Sequence, residues 1–132
     1  MIGLDAEILL RLFDQSEPAL TRRVEALVTI AAPEGGCFVH PLALVEVAAR
    51  LERDFKLERT AVADYLAHIL RAPEFTIPNA DEALAAVEHF RTGKTAFADC
   101  LLAALNRACG CDVTVTFDVC TAESAGFTLL KG

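Results

Sequence analysis

The 132-residue sequence predicts an α/β fold with a short, mostly parallel sheet covered by helices on both faces. Three observations carry that expectation. Brief apolar or β-branched runs alternate with longer stretches of helical periodicity, and the breaks between them fall at Glu17-Pro18, Ala32-Pro33-Glu34-Gly35-Gly36, Ala72-Pro73 and Ile77-Pro78-Asn79. The composition is 54% hydrophobic but only 7% aromatic, which suits a core of Leu, Val, Ile and Ala. No repeat, linker or low-complexity stretch divides the chain, so residues 1–132 are expected to form a single domain.

Ile2 to Leu4 reads as a buried strand that runs straight into a helix over Ala6 to Phe13. A second helix follows Pro18, with Leu20, Val24, Leu27, Val28 and Ala31 at helical spacing on one face. Cys37 to Val39 forms the next strand after the Gly35-Gly36 turn, and Pro41 suits the first turn of the helix that begins there. Helices are expected over about Arg59 to Leu70, Asp81 to Phe90 and Phe97 to Cys109, with a short strand near Phe75 to Ile77 and Gly110 as the last helix's stop. Val113 to Phe117 alternates β-branched residues and reads as a strand, and Phe127 to Leu130 as the final one. On sheets of this kind ligands sit in the crevice at the carboxyl ends of the strands.

No apolar run approaches the ~20 residues needed to span a bilayer, and an acid interrupts the apolar start MIGLDAEILL, so a cytoplasmic protein without membrane partners is expected. The cysteines Cys37, Cys100, Cys109, Cys111 and Cys120 are odd in number and contain no C-x-x-C pair, which argues against a disulfide framework or a zinc knuckle and for buried free thiols. The net charge of −7 excludes a broad basic nucleic-acid face. Any affinity for nucleic acid must then rest on bound cations and a few local basic residues. Arg11, Lys94 and Arg107 are the candidates for phosphate contacts.

Four acids stand where acids are expensive. Asp5 follows the first expected strand and Asp118 follows Val113 to Phe117, which places both at the same edge of the expected sheet. Either one alone is explained by helix capping or a turn. Glu46 lies within Pro41-Leu-Ala-Leu-Val-Glu-Val-Ala-Ala49, where every other position is apolar or small, so a buried carboxylate is expected there with Arg50, a proton or a metal as its partner. Asp99 sits near the start of Phe97-Ala-Asp-Cys-Leu-Leu-Ala-Ala-Leu105, where a carboxylate also favours the helix dipole. Four convergent acids fit a hard divalent cation, Mg²⁺ or Mn²⁺, and the phosphoryl chemistry it supports.

Other chemistries lack their parts. Arg91-Thr-Gly-Lys-Thr95 has Glu88 where a phosphate loop needs its first glycine, and it follows a helix instead of a strand. His40, His68 and His89 are isolated, and neither H-E-x-x-H nor G-x-S-x-G occurs.

The order of these acids resembles the PIN-domain family and, within it, the VapC-like toxins of bacterial toxin-antitoxin pairs. The likeness rests on Leu4-Asp5, on Glu46 in the third helix, on Phe97-Ala-Asp99, on Gly110-Cys-Asp-Val-Thr-Val-Thr-Phe-Asp118 and on the closing Ala125-Gly-Phe-Thr-Leu-Leu130. It implies a three-layer α/β/α sandwich, a Mg²⁺- or Mn²⁺-dependent endoribonuclease acting on RNA, a homodimer, and inhibition by a cognate antitoxin protein. Asp5, Glu46, Asp99 and Asp118 match the family's acidic positions, as catalytic residues and metal ligands, and Thr116 matches the hydroxyl residue two places before the last acid. The sequence departs from the pattern after the first acid, where Ala6 and Glu7 replace small hydroxyl or amide residues, and after the last, where Val119-Cys120 replaces basic ones. Glu7 is thus a further residue to place beside the site. The alternatives are a degenerate PIN-fold binding module without nuclease activity and another metal-dependent phosphoryl hydrolase.

Overall fold

A computed structural model describes residues 1–131. The elements run in chain order as β1 (Ile2–Gly3), α1 (Ala6–Phe13), α2 (Pro18–Ala31), β2 (Cys37–Phe38), α3 (Pro41–Arg53), α4 (Arg59–Arg71), β3 (Phe75–Thr76), α5 (Ala80–Thr92), α6 (Phe97–Ala108), β4 (Thr114–Thr116), α7 (Val119–Ala122) and β5 (Phe127–Leu129). A 3-10 turn over Ala32–Glu34 extends α2. The architecture is the expected α/β sandwich, mostly helical, with short parallel strands.

Parallel pairing in the order β1-β2-β3 sets Ile2 beside Cys37 and Cys37 beside Phe75. The Gly35-Gly36 turn makes this possible. Gly35 has φ +98, and a Cβ there would lie 3.0 Å from the Met1 nitrogen, whose ammonium donates to the Glu34 carbonyl at 2.7 Å. A side chain at that position would push the first strand off the second.

Helices supply most of the core. Leu9, Leu44, Leu51, Val62, Leu66, Val87, Phe90 and Phe97 are fully buried in one cluster with Cys37 and Val39 of the sheet. Phe90 and Phe97 meet edge to face at 5.9 Å, which locks α5 onto α6. Tyr65 of α4 donates its hydroxyl to the Leu9 carbonyl at 2.7 Å, and burial raises its pKa above the ordinary value. Arg59, at the start of α4, lies 4.1 Å over the Phe90 ring and donates to the carbonyls of Phe90 and Thr95. It thereby ties the last turn of α5 to the loop that launches α6.

Two expectations from the sequence are corrected here. Strand β4 does not join the sheet of β1; it pairs in parallel with β5 alone, Thr114 beside Phe127, in a second sheet. The short helix α7 lies between them, where the Asp118 side chain accepts from the Thr121 amide and nucleates one turn. Only Cys37 and Cys100 are buried, whereas Cys109, Cys111 and Cys120 are exposed because the C-terminal segment that carries them covers little of the core. Among the described residues no helix is long and apolar enough to cross a membrane.

Arg59 gives the packing a direct check. Its replacement by Met keeps the aliphatic contact with Phe90 but leaves two partly buried carbonyls short of a donor. The expected loss of stability is about 1–3 kcal/mol in urea unfolding. An unchanged midpoint with an unchanged slope would contradict the linking role given to the guanidinium.

Candidate metal and phosphate site

The carboxyl ends of β1 and β2 lie side by side because the strands are parallel. Each turns at once into a helix. Leu4, buried, donates its amide to the Phe38 carbonyl at 2.9 Å, which fixes where the chain leaves β1. The next residue, Asp5, is the cap of α1: its Oδ1 accepts from the Ile8 amide at 3.0 Å. His40 caps α3 in the same manner, its Nδ1 accepting from the Leu42 amide at 3.0 Å. Between the two caps lies an open cleft of about 440 Å³ lined by Asp5, Ala6, Glu7, Leu42, Ala43, Glu46 and Arg50.

Asp5 and Glu46 therefore come together from opposite walls of one cleft, although 41 positions separate them in the chain. Glu46 is exposed, in contrast to the burial expected from its apolar surroundings. Val47, Ala48, Leu44 and Leu51 take the core-facing side of α3, and Leu42, Glu46 and Ala49 fall on the open side. The expected Glu46–Arg50 pair is absent among the described residues. Arg50 instead donates Nη1 to Glu7 at 2.5 Å and Nε to Asp54 at 3.0 Å. Glu46 and Asp5 are left without a salt bridge among the described residues, so the cleft holds two carboxylates with no directly paired cation.

Glu7, the acid that departs from the family pattern, is neutralised. Arg50 and Arg11 both pair with it, the latter at 3.3 Å. The hydrogen bond from Arg50 holds the Glu7 carboxyl below its ordinary value of 4.5; burial opposes it, the charges of Arg50 and Arg11 reinforce it, and the nearby charge of Asp5 opposes it least. Arg11 also pairs with Glu17 at 3.2 Å, which takes it out of the set of basic residues free to meet a phosphate. The spacing Glu7 to Arg11 and Arg50 to Asp54, four residues in each case, was open to sequence reading; the link between Glu7 and Arg50 across 43 positions was not.

Asp99 and Asp118 stand elsewhere. Asp99 is half-buried in the first turn of α6, and Asp118 is exposed beyond β4; neither lines the cleft. The Thr116 hydroxyl accepts from the Asp118 amide at 3.0 Å, and so sets the chain direction at that acid. Among the described residues no group of three or more His, Cys, Asp or Glu side chains is gathered closely enough to hold a metal. The donor chemistry at Asp5 and Glu46 nonetheless suits a hard divalent cation: two uncompensated carboxylates, open to water, with room for the several waters Mg²⁺ retains. Lys94 and Arg107 line a different, larger cavity of about 900 Å³, between α5, α6 and the C-terminal strands, and not this cleft.

Paired acids thus stand in a crevice at the carboxyl ends of parallel strands, the place where sheets of this kind bind ligands. The PIN domain family model matches residues 2–123, and the chain belongs to the PIN-domain family. Domains of this family are generally nucleases that act on nucleic acid and usually use divalent metals. No curated protein matches the chain.

The Glu7 pair makes a pH prediction. The folded state binds this proton more weakly than the unfolded chain, so the contribution of the pair is complete above the ordinary carboxylate range and is lost as pH falls through the depressed value. By carboxyl-detected NMR, Glu7 should titrate with a midpoint below 4.5, and Arg50→Met should move that midpoint upward. A midpoint indifferent to Arg50 would contradict the ion pair.

Proposed function

We propose that the protein is a metal-dependent endoribonuclease, the toxin of a toxin-antitoxin pair, whose site is built on Asp5, Glu46, Asp99 and Asp118. The observation that supports it most is the uncompensated Asp5–Glu46 pair in the cleft of a PIN domain. Held there, Mg²⁺ or Mn²⁺ would lower the pKa of the attacking water and stabilise charge on the scissile phosphate.

The chain's own contribution is placement. Asp5 is held by its cap on α1, and α3 sets where Glu46 leaves the backbone, so both side chains line the same cleft. Asp99 and Asp118 belong to this set by their match to the family's acidic positions, and in the single chain neither lines the cleft. Arg50 stands at the rim with its guanidinium shared between Glu7 and Asp54, positioned to meet a phosphate oxygen if Glu7 releases it. RNA is the substrate of this reading, the active form is a homodimer, and a cognate antitoxin covers the cleft. The exposed Leu42 on its wall offers that antitoxin an apolar contact.

A second reading, a PIN-fold binding module without nuclease activity, draws on Glu7, which adds an acid to the cleft, and on the distance of Asp99 and Asp118 from it. Mutation separates the two. Asp5→Asn keeps shape and cap but removes the charge, and cleavage of RNA in Mn²⁺ should fall by at least about a hundredfold. Glu46→Gln should behave alike, and the double variant should lose far less than the product of the two, because ligands of one ion act as a unit. A well-folded Asp5→Asn protein cutting at the wild-type rate would rule out this assignment.

A further inference from the structure

We infer that Glu7 is a built-in stand-in for substrate: its carboxylate occupies Arg50 in the free protein, and a phosphate of the RNA backbone takes its place on binding while Glu7 stays on Arg11.

The inference starts from how Arg50 is held. Among the described residues it is the one basic side chain that lines the Asp5–Glu46 cleft. Its Nε donates to Asp54 at 3.0 Å, one turn further along α3, which anchors the guanidinium to its own helix. Nη1 crosses to α1 and donates to Glu7 Oε2 at 2.5 Å, while Nη2 has no hydrogen-bond partner among the described residues. The cation of the cleft is thus filled from inside.

A structural tie between α1 and α3 does not account for this pair. The two helices already share the buried core through Leu9, Leu10, Leu44, Val47 and Leu51. The side chains of Glu7 and Arg50 are 50% and 28% exposed, and an ion pair so open to water adds little to stability. What the pair does change is which groups of the cleft are free. It blocks the cation and leaves Asp5 and Glu46 open.

The two oxygens of Glu7 serve two arginines. Oε2 accepts from Arg50, and Oε1 meets Arg11 Nη2 at 3.3 Å, four residues along α1. Release from Arg50 therefore leaves the carboxylate with Arg11 and water, not unpaired. A phosphodiester is the better partner for the vacated guanidinium, because its two non-bridging oxygens can accept from Nη1 and Nη2 together, whereas Glu7 offers a single oxygen. The exchange trades one charge-assisted bond for two. It also sets a threshold, since RNA must displace an internal anion before it is seated, and Glu7 thereby weakens binding relative to a chain without it. The inference rests on the RNA reading of the proposed function and adds to it a brake on substrate entry.

A double-mutant cycle in binding tests the exchange, read by fluorescence anisotropy of a labelled single-stranded RNA oligonucleotide with saturating Ca²⁺ in place of Mn²⁺. Glu7→Gln should tighten binding by about fivefold and Arg50→Met should weaken it, but in the Arg50→Met chain Glu7→Gln should move the affinity by less than about twofold. Equal tightening in both backgrounds would overturn the inference, because Glu7 would then act only by repelling a polyanion. No tightening in the wild-type background would overturn it as well, leaving the pair a plain tie between helices. If circular dichroism shows Arg50→Met misfolded, Arg50→Gln takes its place in the cycle. Cleavage in Mn²⁺ separates this inference from the nuclease reading. RNA bound with the coupling but left uncut rejects nuclease activity and leaves the exchange standing; RNA cut without the coupling rejects the exchange alone; RNA bound by none of the folded chains rejects both.

Discussion

Everything at the candidate site depends on the parallel pairing of β1 with β2. Two residues of each strand suffice, because what the pairing fixes is the relative position of two chain exits and not a large sheet. At one exit Asp5 caps α1, and at the other His40 caps α3. The caps set where the helices begin, the helices set which side chains face the cleft, and Glu46 arrives opposite Asp5 as a result. An Asp cap also has a cost to function, since the oxygen that accepts from the Ile8 amide is already partly used. The other carboxylate oxygen remains for a ligand.

Most of the paired arginines are committed to acids or to backbone, and only Arg50 among them lines this cleft. Arg11, Arg50, Arg53 and Arg91 are all engaged with acids, and Arg59 is spent on backbone carbonyls. Most of the ion pairs are exposed and add little to stability. Their effect on the site is selective: they pair with Glu7 and leave Asp5 and Glu46 without a salt bridge among the described residues. In the proposed function, a protein with a net charge of −7 would meet a polyanion through cations held locally between acids, against the long-range repulsion.

Much of this was legible from the sequence because it is local. The helices announced themselves by periodicity and by Pro18, Pro41 and Asp5 at their starts, and the turn to β2 by two adjacent glycines. Glu46 was found for a reason that did not hold: an acid in an apolar run suggested burial, yet α3 turns one partly apolar stripe, Leu42 and Ala43 included, toward the open cleft. Asp118 was placed correctly at a strand end, but which sheet that strand joins is decided by contacts between Asn106 and Thr114, Thr95 and Ser124, and Ala103 and Gly126, none of which leaves a pattern in the chain. Arg50 shows the same limit, since its nearer acid in sequence, Glu46, loses it to Glu7 from another helix.

The central claim is that the Asp5–Glu46 cleft is where a divalent cation resides. Substoichiometric Mn²⁺ added to ¹⁵N-labelled protein tests it without reference to activity, because a bound paramagnetic ion broadens nearby amide signals. The amides of Ala6, Glu7, Ala43 and Val47 should broaden first, recover when the ion is chelated, and stay sharp in Glu46→Gln at the same metal concentration. Broadening that spares these amides, or that leaves the wild type and Glu46→Gln indistinguishable, would contradict the account.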